Sequence, residues 1–287
     1  MANRVQSWVV TDEFWQRVEP LIPARSPTDK IYVRKPGAGR PPKPARQVFE
    51  AIVYVLRTGC QWKALPKERF GSASAIHKRF LEWEAAGFFE ELWKAGLAEY
   101  DQMQGIAWRW QSVDGAMMKA PLAREAVGPN PTDRGKKGGS KRHLLVDGRG
   151  VPLSLVVTGA NVHDCKRLDA VLNAIVVERK DPPHRRNKHL CADAGYRGAE
   201  HLRTIEDHGY IPHVVGRRTE ADLIKQRDPK KKARRWVVEV CHSWFNRFRK
   251  LLVRYEKLER SFIALNHLAA AIIALRKVPA GTNIIYG

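Results

Sequence analysis

Apolar residues recur every three or four positions through most of the first 105 residues, which is the spacing of amphipathic helices. The pattern predicts a short helix at 11–22, capped by Thr11, and a second helix at 45–57. A third helix is expected to begin after Ser72 or Ser74, and a fourth spans 88–100. The first third of the chain is therefore predicted to be all-helical.

The second and third of these helices are joined by a turn, and cations lie near the start of the third. We expect His77, Lys78 and Arg79 to face solvent while Ile76 and Phe80 face the core. A helix-turn-helix uses residues at such positions to reach base edges in the major groove of DNA. A small helical bundle with no DNA gives the same pattern, so both interpretations stand.

After residue 105 the spacing of the apolar residues changes from helical to the alternation of apolar and polar residues that is typical of β-strands. The first strand ends at Asp114, and an Asp-Gly turn at 147–148 indicates a hairpin. The predicted strands are 107–114, 143–146, 151–158, 189–192 and 210–215. Helices at 165–178 and 199–208 lie between them, so this part of the chain is predicted to be α/β.

Residues 234–257 predict a basic helix with one carboxylate on its polar side. Glu239 lies there in a row with Arg235, His242 and Asn246. The opposite, apolar stripe contains Val237, Cys241, Trp244, Phe245, Phe248, Leu251, Leu252 and Tyr255. A solvated amphipathic helix without further function is the alternative interpretation. The apolar segment 261–275 predicts a core helix.

The net charge of the chain indicates which chemical class of partner it binds. Its 51 lysines and arginines against 30 acids give a formal net charge of +21 and a pI near 10.1. This surplus indicates a polyanionic partner, with nucleic acid ahead of a membrane surface. No stretch approaches the roughly 18 apolar residues of a membrane span. The start of the chain has no secretion signal, so we expect a cytoplasmic protein without a membrane partner.

The cysteines and the cation-rich segments refine this expectation. The four cysteines are too widely spaced for a zinc knuckle or a dense disulfide scaffold, and we expect buried thiols. Residues 31–46 form a basic arm whose GRPPK sequence suits a minor groove or a phosphate ridge, with a disordered linker as the alternative. The arm cations are Arg34, Lys35, Arg40, Lys43 and Arg46. Further DNA-contacting cations are predicted in two loops: Lys136, Lys137, Lys230, Lys231 and Lys232.

Three acids stand out by their position. Asp114 and Asp193 follow short apolar strands, and Glu239 lies on a late helix. If the two strands are neighbours, both aspartates lie at the same end of a sheet, and a helix packed on that sheet brings the glutamate alongside. Carboxylates are the ligands of Mg²⁺, and two such ions support in-line attack on a phosphodiester. Asp133 and Asp147 lie in turn sequences, and we assign them turn roles.

These acids occur in motifs that resemble those of bacterial DDE transposases of the insertion sequence five family, within the insertion sequence four-like superfamily. The motifs are SVDGAMMKAP around Asp114, ADAGYRG around Asp193, and the segment from Arg235 to Glu256 around Glu239. The third motif departs from the broader Tyr-Arg-Glu-Lys signature, because Lys232 and Asn246 stand where tyrosine and lysine belong. The NVHD sequence at 161–164 and the helical N-terminal part also resemble the family.

The resemblance implies an α/β fold with an RNase H-like catalytic core at 106–287, a mixed sheet flanked by helices. An all-α, helix-turn-helix-type DNA-binding domain at 1–105 precedes it. It implies a transposase that uses two Mg²⁺ ions, with Mn²⁺ as a substitute, to cleave terminal inverted repeats and join 3′-hydroxyl ends to target DNA. The partners are double-stranded DNA and at least one further copy of the chain, at the bacterial nucleoid.

The implied site residues fall into two groups. Asp114, Asp193 and Glu239 are the expected catalytic and metal-binding residues. DNA contacts near them are expected from Tyr196, Arg197, Arg235, Trp236 and Arg247. Arg235 either orients Glu239 or binds a phosphate. Trp236 either packs in the core or stacks on a distorted base.

Two other functions fit parts of the sequence. A transposon-derived protein that binds DNA without cutting it would keep the same charge and helices. An RNase H-like nuclease acting on RNA–DNA hybrids would keep the same acids, but the separate N-terminal helices disfavour it.

Overall fold

The computed structural model describes residues 6, 8–24, 42–178, 187–214 and 234–278. Six of the predicted DNA contacts lie outside these ranges and remain sequence predictions: Arg34, Lys35, Arg40, Lys230, Lys231 and Lys232.

The four predicted N-terminal helices are confirmed. They are α1 (Asp12–Val18), α2 (Ala45–Thr58), α4 (Ala73–Ala85) and α5 (Phe88–Gln104), with the one-turn α3 (Lys67–Phe70) between α2 and α4. The Thr11 hydroxyl accepts a hydrogen bond from the Phe14 amide at 3.2 Å, which is an N-cap. Gly59 ends α2 with a φ of 73°, a conformation that favours glycine.

The connection from α2 to α4 is longer than the predicted short turn. It contains a 3₁₀ turn at Trp62–Ala64 as well as α3. The buried side chains of Leu65 and Phe70 hold this connection against the helices. The pair α2 and α4 is therefore not joined directly.

The remainder of the chain is built on one mixed sheet. Its strands are β1 (Trp110–Lys119), β2 (Gly128–Pro129), β3 (Gly138–Val146), β4 (Pro152–Gly159), β5 (Lys188–Ala192) and β6 (Tyr210–Val214). Antiparallel β3 lies beside β1, and both β4 and the short β2 pair with β3. On the other side of β1, β5 and β6 run parallel to it. This arrangement confirms the RNase H-like sheet expected from the sequence.

Two elements differ in length from the sequence predictions. β1 continues to Lys119, because its last residues pair with β3 as far as Gly139. Asp114 thus lies in the middle of the strand and not at its end. The predicted helix 165–178 is only a 3₁₀ turn followed by α6 (Leu168–Asn173). It stops early because the chain returns to β4, where the Val176 amide bonds the Leu153 carbonyl at 3.1 Å.

The predicted helix 234–257 is interrupted. The structure has α8 (Trp236–Asn246) followed by a 3₁₀ turn at Arg249–Leu251. The Arg254 amide then donates to the Lys119 carbonyl at 2.8 Å, so this segment pairs with the end of β1. Leu252 and Tyr255 are consequently exposed, and their assignment to the apolar stripe was wrong.

The last described helix, α9 (Glu259–Leu275), confirms the predicted core helix. It packs against α5, α4 and α8, and a continuous hydrophobic core runs from α1 to α9. A second core lies between β1, β5, α6 and α7 (Ala199–Asp207). No helix among the described residues has the length and apolar character needed to span a bilayer.

The cysteines match their prediction in part. All four are free thiols; Cys191 and Cys241 are buried, whereas Cys60 and Cys165 are half-buried. The two predicted turn aspartates are confirmed. Buried Asp147 accepts hydrogen bonds from Tyr100 and from the amides of residues 107, 149 and 151, and Asp133 accepts one from the Gly135 amide.

Candidate active site

Asp114 occupies the centre of the sheet, on the strand between β3 and β5. The pKa of its carboxyl is raised to about 6, mainly by burial and in part by the negative charges of Asp164, Asp193 and Glu239, while a hydrogen bond from the Gly115 backbone acts to lower it. Like charges interact over short distances in a partly dehydrated site. The three predicted acids therefore share one electrostatic environment, together with a fourth carboxylate.

Asp193 follows the strand that runs parallel to the strand of Asp114. Ser112 on β1 is level with Cys191 on β5. Extending this register by two residues along both strands would set Asp114 level with Asp193, and the period of two in side-chain direction would point both carboxylates to the same face. The Asp193 carboxylate accepts a hydrogen bond from the Gly195 amide at 2.7 Å, which starts a 3₁₀ turn.

Glu239 lies in the first turn of α8, which packs across β1 and β3. The Ser112 hydroxyl donates to the Arg234 carbonyl at 3.1 Å and fixes the start of α8 above β1. The Glu239 side chain is 46% exposed, and Arg235 Nη2 lies 3.8 Å from its Oε1. This ion pair agrees with the predicted role of Arg235 in orienting Glu239.

The donor atoms of these residues suit a hard divalent cation. Carboxylate oxygens are the preferred ligands of Mg²⁺ and Mn²⁺, and the mutual repulsion of the acids favours a bound cation. Among the described residues, no three His, Cys, Asp or Glu side chains are gathered closely enough to hold a metal ion. Asp193 is turned to Gly195, and Glu239 to Arg235. The joint binding of a metal ion by Asp114, Asp193 and Glu239 therefore stays a prediction.

Asp164 is a residue that the sequence analysis did not assign to the site. It follows β4, and its Oδ1 lies 3.2 Å from Lys141 Nζ and 3.2 Å from His143 Nδ1. Burial acts to raise its pKa, but the hydrogen bond from His143 and the positive charge of Lys141 outweigh burial and lower the pKa. Asp164 is thus an ionised carboxylate beside Asp114. The NVHD motif was the available signal.

A buried arginine anchors α8 beneath the acids. Arg142 on β3 donates to Asn266 Oδ1 at 3.2 Å, approaches His242 Nδ1 at 3.5 Å, and lies over the Phe245 ring at 4.3 Å. Burial and the charge of Arg142 lower the pKa of His242 to about 3, so this imidazole is neutral. His242 was predicted to face solvent in a row with Glu239. This prediction was wrong, because the His242 side chain lies on the buried side of α8, against Arg142.

Several predicted DNA contacts lie on the surface. Trp236 is 48% exposed at the start of α8, so the prediction that it packs in the core was wrong. The exposed cations of the predicted set are Lys78, Lys136, Lys137, Arg197 and Arg247. Their contacts with DNA remain predictions.

Other predicted contacts have partners within the protein. Arg46 pairs with Asp12 at 2.6 Å and with Glu50 at 3.2 Å. Arg79 pairs with Glu82 at 2.7 Å. These ion pairs compete with any phosphate contact.

Three more residues differ from the exposed positions expected of them. The His77 ring is half-buried, because it packs against Trp62 at 4.9 Å and against Phe80 at 6.2 Å between ring centroids. Lys43 is half-buried, with its Nζ against Gly71. Tyr196 is 1% exposed in the second core, and its assignment as a DNA contact is corrected because no ring surface is available to DNA.

The raised pKa of Asp114 predicts a pH-dependent stability in the metal-free protein. The folded protein favours the neutral form of this acid. The stability that protonated Asp114 contributes is therefore fully present below pH 3.8, its pKa in the unfolded chain, and is lost as the pH rises through about 6. We expect Asp114→Asn to stabilise the metal-free protein by about 2 kcal/mol at pH 8 and by almost nothing at pH 3.5. Urea unfolding with chelator across this range measures the difference. A gain that is independent of pH would contradict the assignment.

A family model described as "Transposase DDE domain" matches residues 111–274, and one described as "Putative transposase of IS4/5 family" matches residues 10–93. A relative from Burkholderia cepacia, named "Putative transposase for insertion sequence element IS402", is 40% identical over 138 residues. That alignment covers 47% of this chain and 61% of the relative, so the match spans less than two thirds of its length.

A second Burkholderia cepacia relative, an uncharacterized 16.2 kDa protein of the same insertion element, is 32% identical over 43% of this chain and 81% of its own length. Among solved structures, the Mos1 mariner paired-end complex with Mn is 11% identical, with a TM-score of 0.28 over 94% of this chain and 87% of that chain. The catalytic domain of the Mos1 mariner transposase is 10% identical, with a TM-score of 0.28 over 66% of this chain and 90% of that chain.

Proposed function

Because this chain belongs to the transposase DDE domain family, we propose that it is a DNA transposase that cleaves the terminal inverted repeats of its element and joins the 3′-hydroxyl ends to target DNA. The observation that carries this proposal is the placement of Asp114, Asp193 and Glu239 on neighbouring elements, near enough for the charges of Asp193 and Glu239 to raise the pKa of Asp114. These acids come from two neighbouring parallel strands and from a helix packed across the sheet. A carboxyl group whose pKa is raised by burial and by neighbouring acids is a candidate for a functional site.

Asp114, Asp193 and Glu239 would hold two divalent cations, Mg²⁺ in the cell with Mn²⁺ as a substitute. When bound, the ions supply an activated water or 3′-hydroxyl and stabilise the leaving oxygen in an in-line displacement at phosphorus. The rigid ladder of β1 fixes Asp114, and Arg142 fixes α8 and with it Glu239. Arg235 holds the Glu239 carboxylate in place when no metal is bound. This chain thus positions the oxygen ligands.

We propose that residues 1–105 recognise DNA and that residues 106–287 carry out catalysis. The two family models fall on either side of this boundary and support it. Exposed Lys78 on α4 is suited to the major groove, and Arg197 and Trp236 flank the acids. Because the core is continuous from α1 to α9, the two parts would hold DNA in a fixed relation. Two element ends must be brought together, so we propose that at least two copies act in synapsis.

The test uses the full chain and duplex DNA from the genomic flanks of its gene, labelled at either strand. We expect Mg²⁺-dependent nicking at the ends of the inverted repeats, followed by joining to a supercoiled plasmid. Shifting the DNA on a gel without nicking it in Mg²⁺ or Mn²⁺ would instead indicate a transposon-derived binding protein. Cleavage of an RNA–DNA hybrid in preference to the duplex would indicate a nuclease of hybrids.

A further inference from the structure

A basic pocket lies at the end of α8 that is remote from Glu239. It has a volume of about 280 Å³ and is lined by Trp8, Arg57, Thr58, Arg247 and Arg249. Three of these five residues are arginines, and none is an acid. The pocket therefore presents mainly hydrogen-bond donors that carry positive charge.

The arginines are close enough to affect one another. Burial lowers the pKa of Arg57, and the charge of Arg247 lowers it further. The pKa of Arg276 is lowered to about 10, mainly by burial and in part by the positive charges of Arg57 and Arg247. Arg57, Arg247 and Arg276 therefore lie close enough for their positive charges to interact, and Arg249 lines the same pocket as Arg57 and Arg247. Such convergence costs free energy in the empty protein and is relieved by an anion.

The surrounding structure gives the pocket a fixed shape. Arg57 is 8% exposed and lies over the Phe248 ring at 5.3 Å. Gly59 lets the backbone of Arg249 approach the end of α2, since a side chain there would lie 3.0–3.2 Å from Arg249. Trp8 Nε1 is buried and has no hydrogen-bond partner among the described residues. An indole N–H can only donate, so it too is suited to an acceptor.

The position of the pocket relates it to the acids. Arg247 follows Glu239 by eight residues along α8, which corresponds to about 12 Å at 1.5 Å per residue. That distance is roughly the rise of three to four nucleotides along one DNA strand. Eight residues also rotate the chain by two turns and about 80°, so Arg247 is displaced to one side of Glu239 around the helix axis. Both residues are exposed. A strand whose scissile phosphate reached Glu239 would therefore run along α8 towards the pocket.

We propose that this pocket binds a backbone phosphate of the DNA strand, three to four nucleotides from the phosphate at Glu239. The proposal rests on the proposed function, because it takes DNA as the polyanion. Guanidinium groups bind phosphate oxygens in pairs, and a phosphate in the pocket would fix the register of the strand across the acids.

The experiment measures the affinity of the full-length chain for a short duplex of arbitrary sequence, without divalent metal, across a series of KCl concentrations. The test variant is Arg247→Gln/Arg249→Gln, whose residues are exposed, so the fold is retained and is checked by thermal melting. The matched control is Arg203→Gln, an exposed arginine on α7. We expect the test variant to bind about tenfold more weakly and its log–log salt slope to be shallower by roughly 1. The control should keep the wild-type slope.

Each outcome decides a separate point. If the wild type binds the duplex and the test variant keeps both its affinity and its salt slope, the pocket does not bind DNA and the proposal fails alone. If the wild type does not bind DNA at all, the proposed function fails with it. A parallel titration with inorganic pyrophosphate at constant ionic strength separates the sources of phosphate. If the test variant loses pyrophosphate binding but its DNA binding keeps the wild-type salt slope, the pocket binds free phosphates and the proposal is overturned.

Discussion

Asp114→Asn, Asp193→Asn and Glu239→Gln should each lower the rate of strand cleavage by about 10³-fold or more, while duplex binding without metal changes little. Each substitution replaces a carboxylate with a neutral amide of nearly the same shape. The loss corresponds to about 4 kcal/mol of transition-state stabilisation, the scale expected for a metal ligand in phosphoryl transfer. Single-turnover cleavage of the flanking duplex with Mg²⁺ measures the rate.

The control for these three variants is Glu206→Gln, an exposed carboxylate on α7. It should cleave at the wild-type rate, which separates loss of a ligand from loss of net charge. Because burial disfavours ionised Asp114, Asp114→Asn should also melt no lower than the wild type above pH 6, so that its inactivity is not due to unfolding. Full activity in any one of the three variants would remove that residue from the catalytic set.

Gly115→Ala should destabilise the protein by about 3 kcal/mol and reduce cleavage together with stability. A Cβ at this position would meet Asp164 Oδ1, with Asp164 Cγ at 2.9 Å and Lys141 Cδ at 3.0 Å. These atoms belong to an ion pair in which Lys141 is buried and Asp164 is half-buried, so their movement is restricted on the Lys141 side. The substitution must displace Asp164 or shift β1, and either change moves the neighbouring Asp114. Urea unfolding and the single-turnover cleavage rate are the two measurements.

Gly135→Ala is the matched control, since the nearest atom to a Cβ there is Asp133 Oδ1 at the ordinary contact distance of 3.5 Å. It should change stability by less than about 0.5 kcal/mol. A double variant, Gly115→Ala/Asp164→Ala, removes the colliding carboxylate. Its combined loss of stability should be smaller than the sum of the two single losses, because the two sites are in contact. Strict additivity would show that Asp164 does not press on Gly115.

Local patterns predicted the parts of the fold that local interactions determine. The Thr11 cap, the Asp147 turn and the core helix at α9 each follow from residues close together in sequence, and the structure has all three. That the strands before Asp114 and Asp193 are neighbours was implied by the family resemblance, and the parallel pairing of β1 with β5 confirms it.

The sequence predictions are wrong where contacts between sequence-distant residues determine the local structure. Helical periodicity continues beyond Asn246, but pairing between residues 253–254 and Lys119 draws the chain onto the end of β1. His242 has the spacing of a surface residue, yet it is buried beside Arg142, which lies 100 residues earlier. Tyr196 follows a motif that predicts DNA contact, but the core between β5 and α7 encloses its ring.

The candidate site shows the same division. Asp114, Asp193 and Glu239 could be selected from motifs, whereas Asp164 could not be placed beside them. Its neighbours, Lys141 and His143, come from β3, and only the antiparallel pairing of β3 with β1 brings them to Gly115. The basic pocket likewise combines Arg57 from α2 with Arg247 and Arg249, which lie about 190 residues later at the end of α8 and in the following 3₁₀ turn.

The central claim is that Asp114, Asp193 and Glu239 bind divalent metal together. Calorimetric titration of the full-length, metal-free chain with Mn²⁺, in the presence of the flanking duplex, tests this claim most directly. The account predicts saturable binding of two ions by the wild type and by Glu206→Gln. It predicts at least a tenfold loss of affinity in each of Asp114→Asn, Asp193→Asn and Glu239→Gln. Wild-type Mn²⁺ affinity in all three variants would contradict the account.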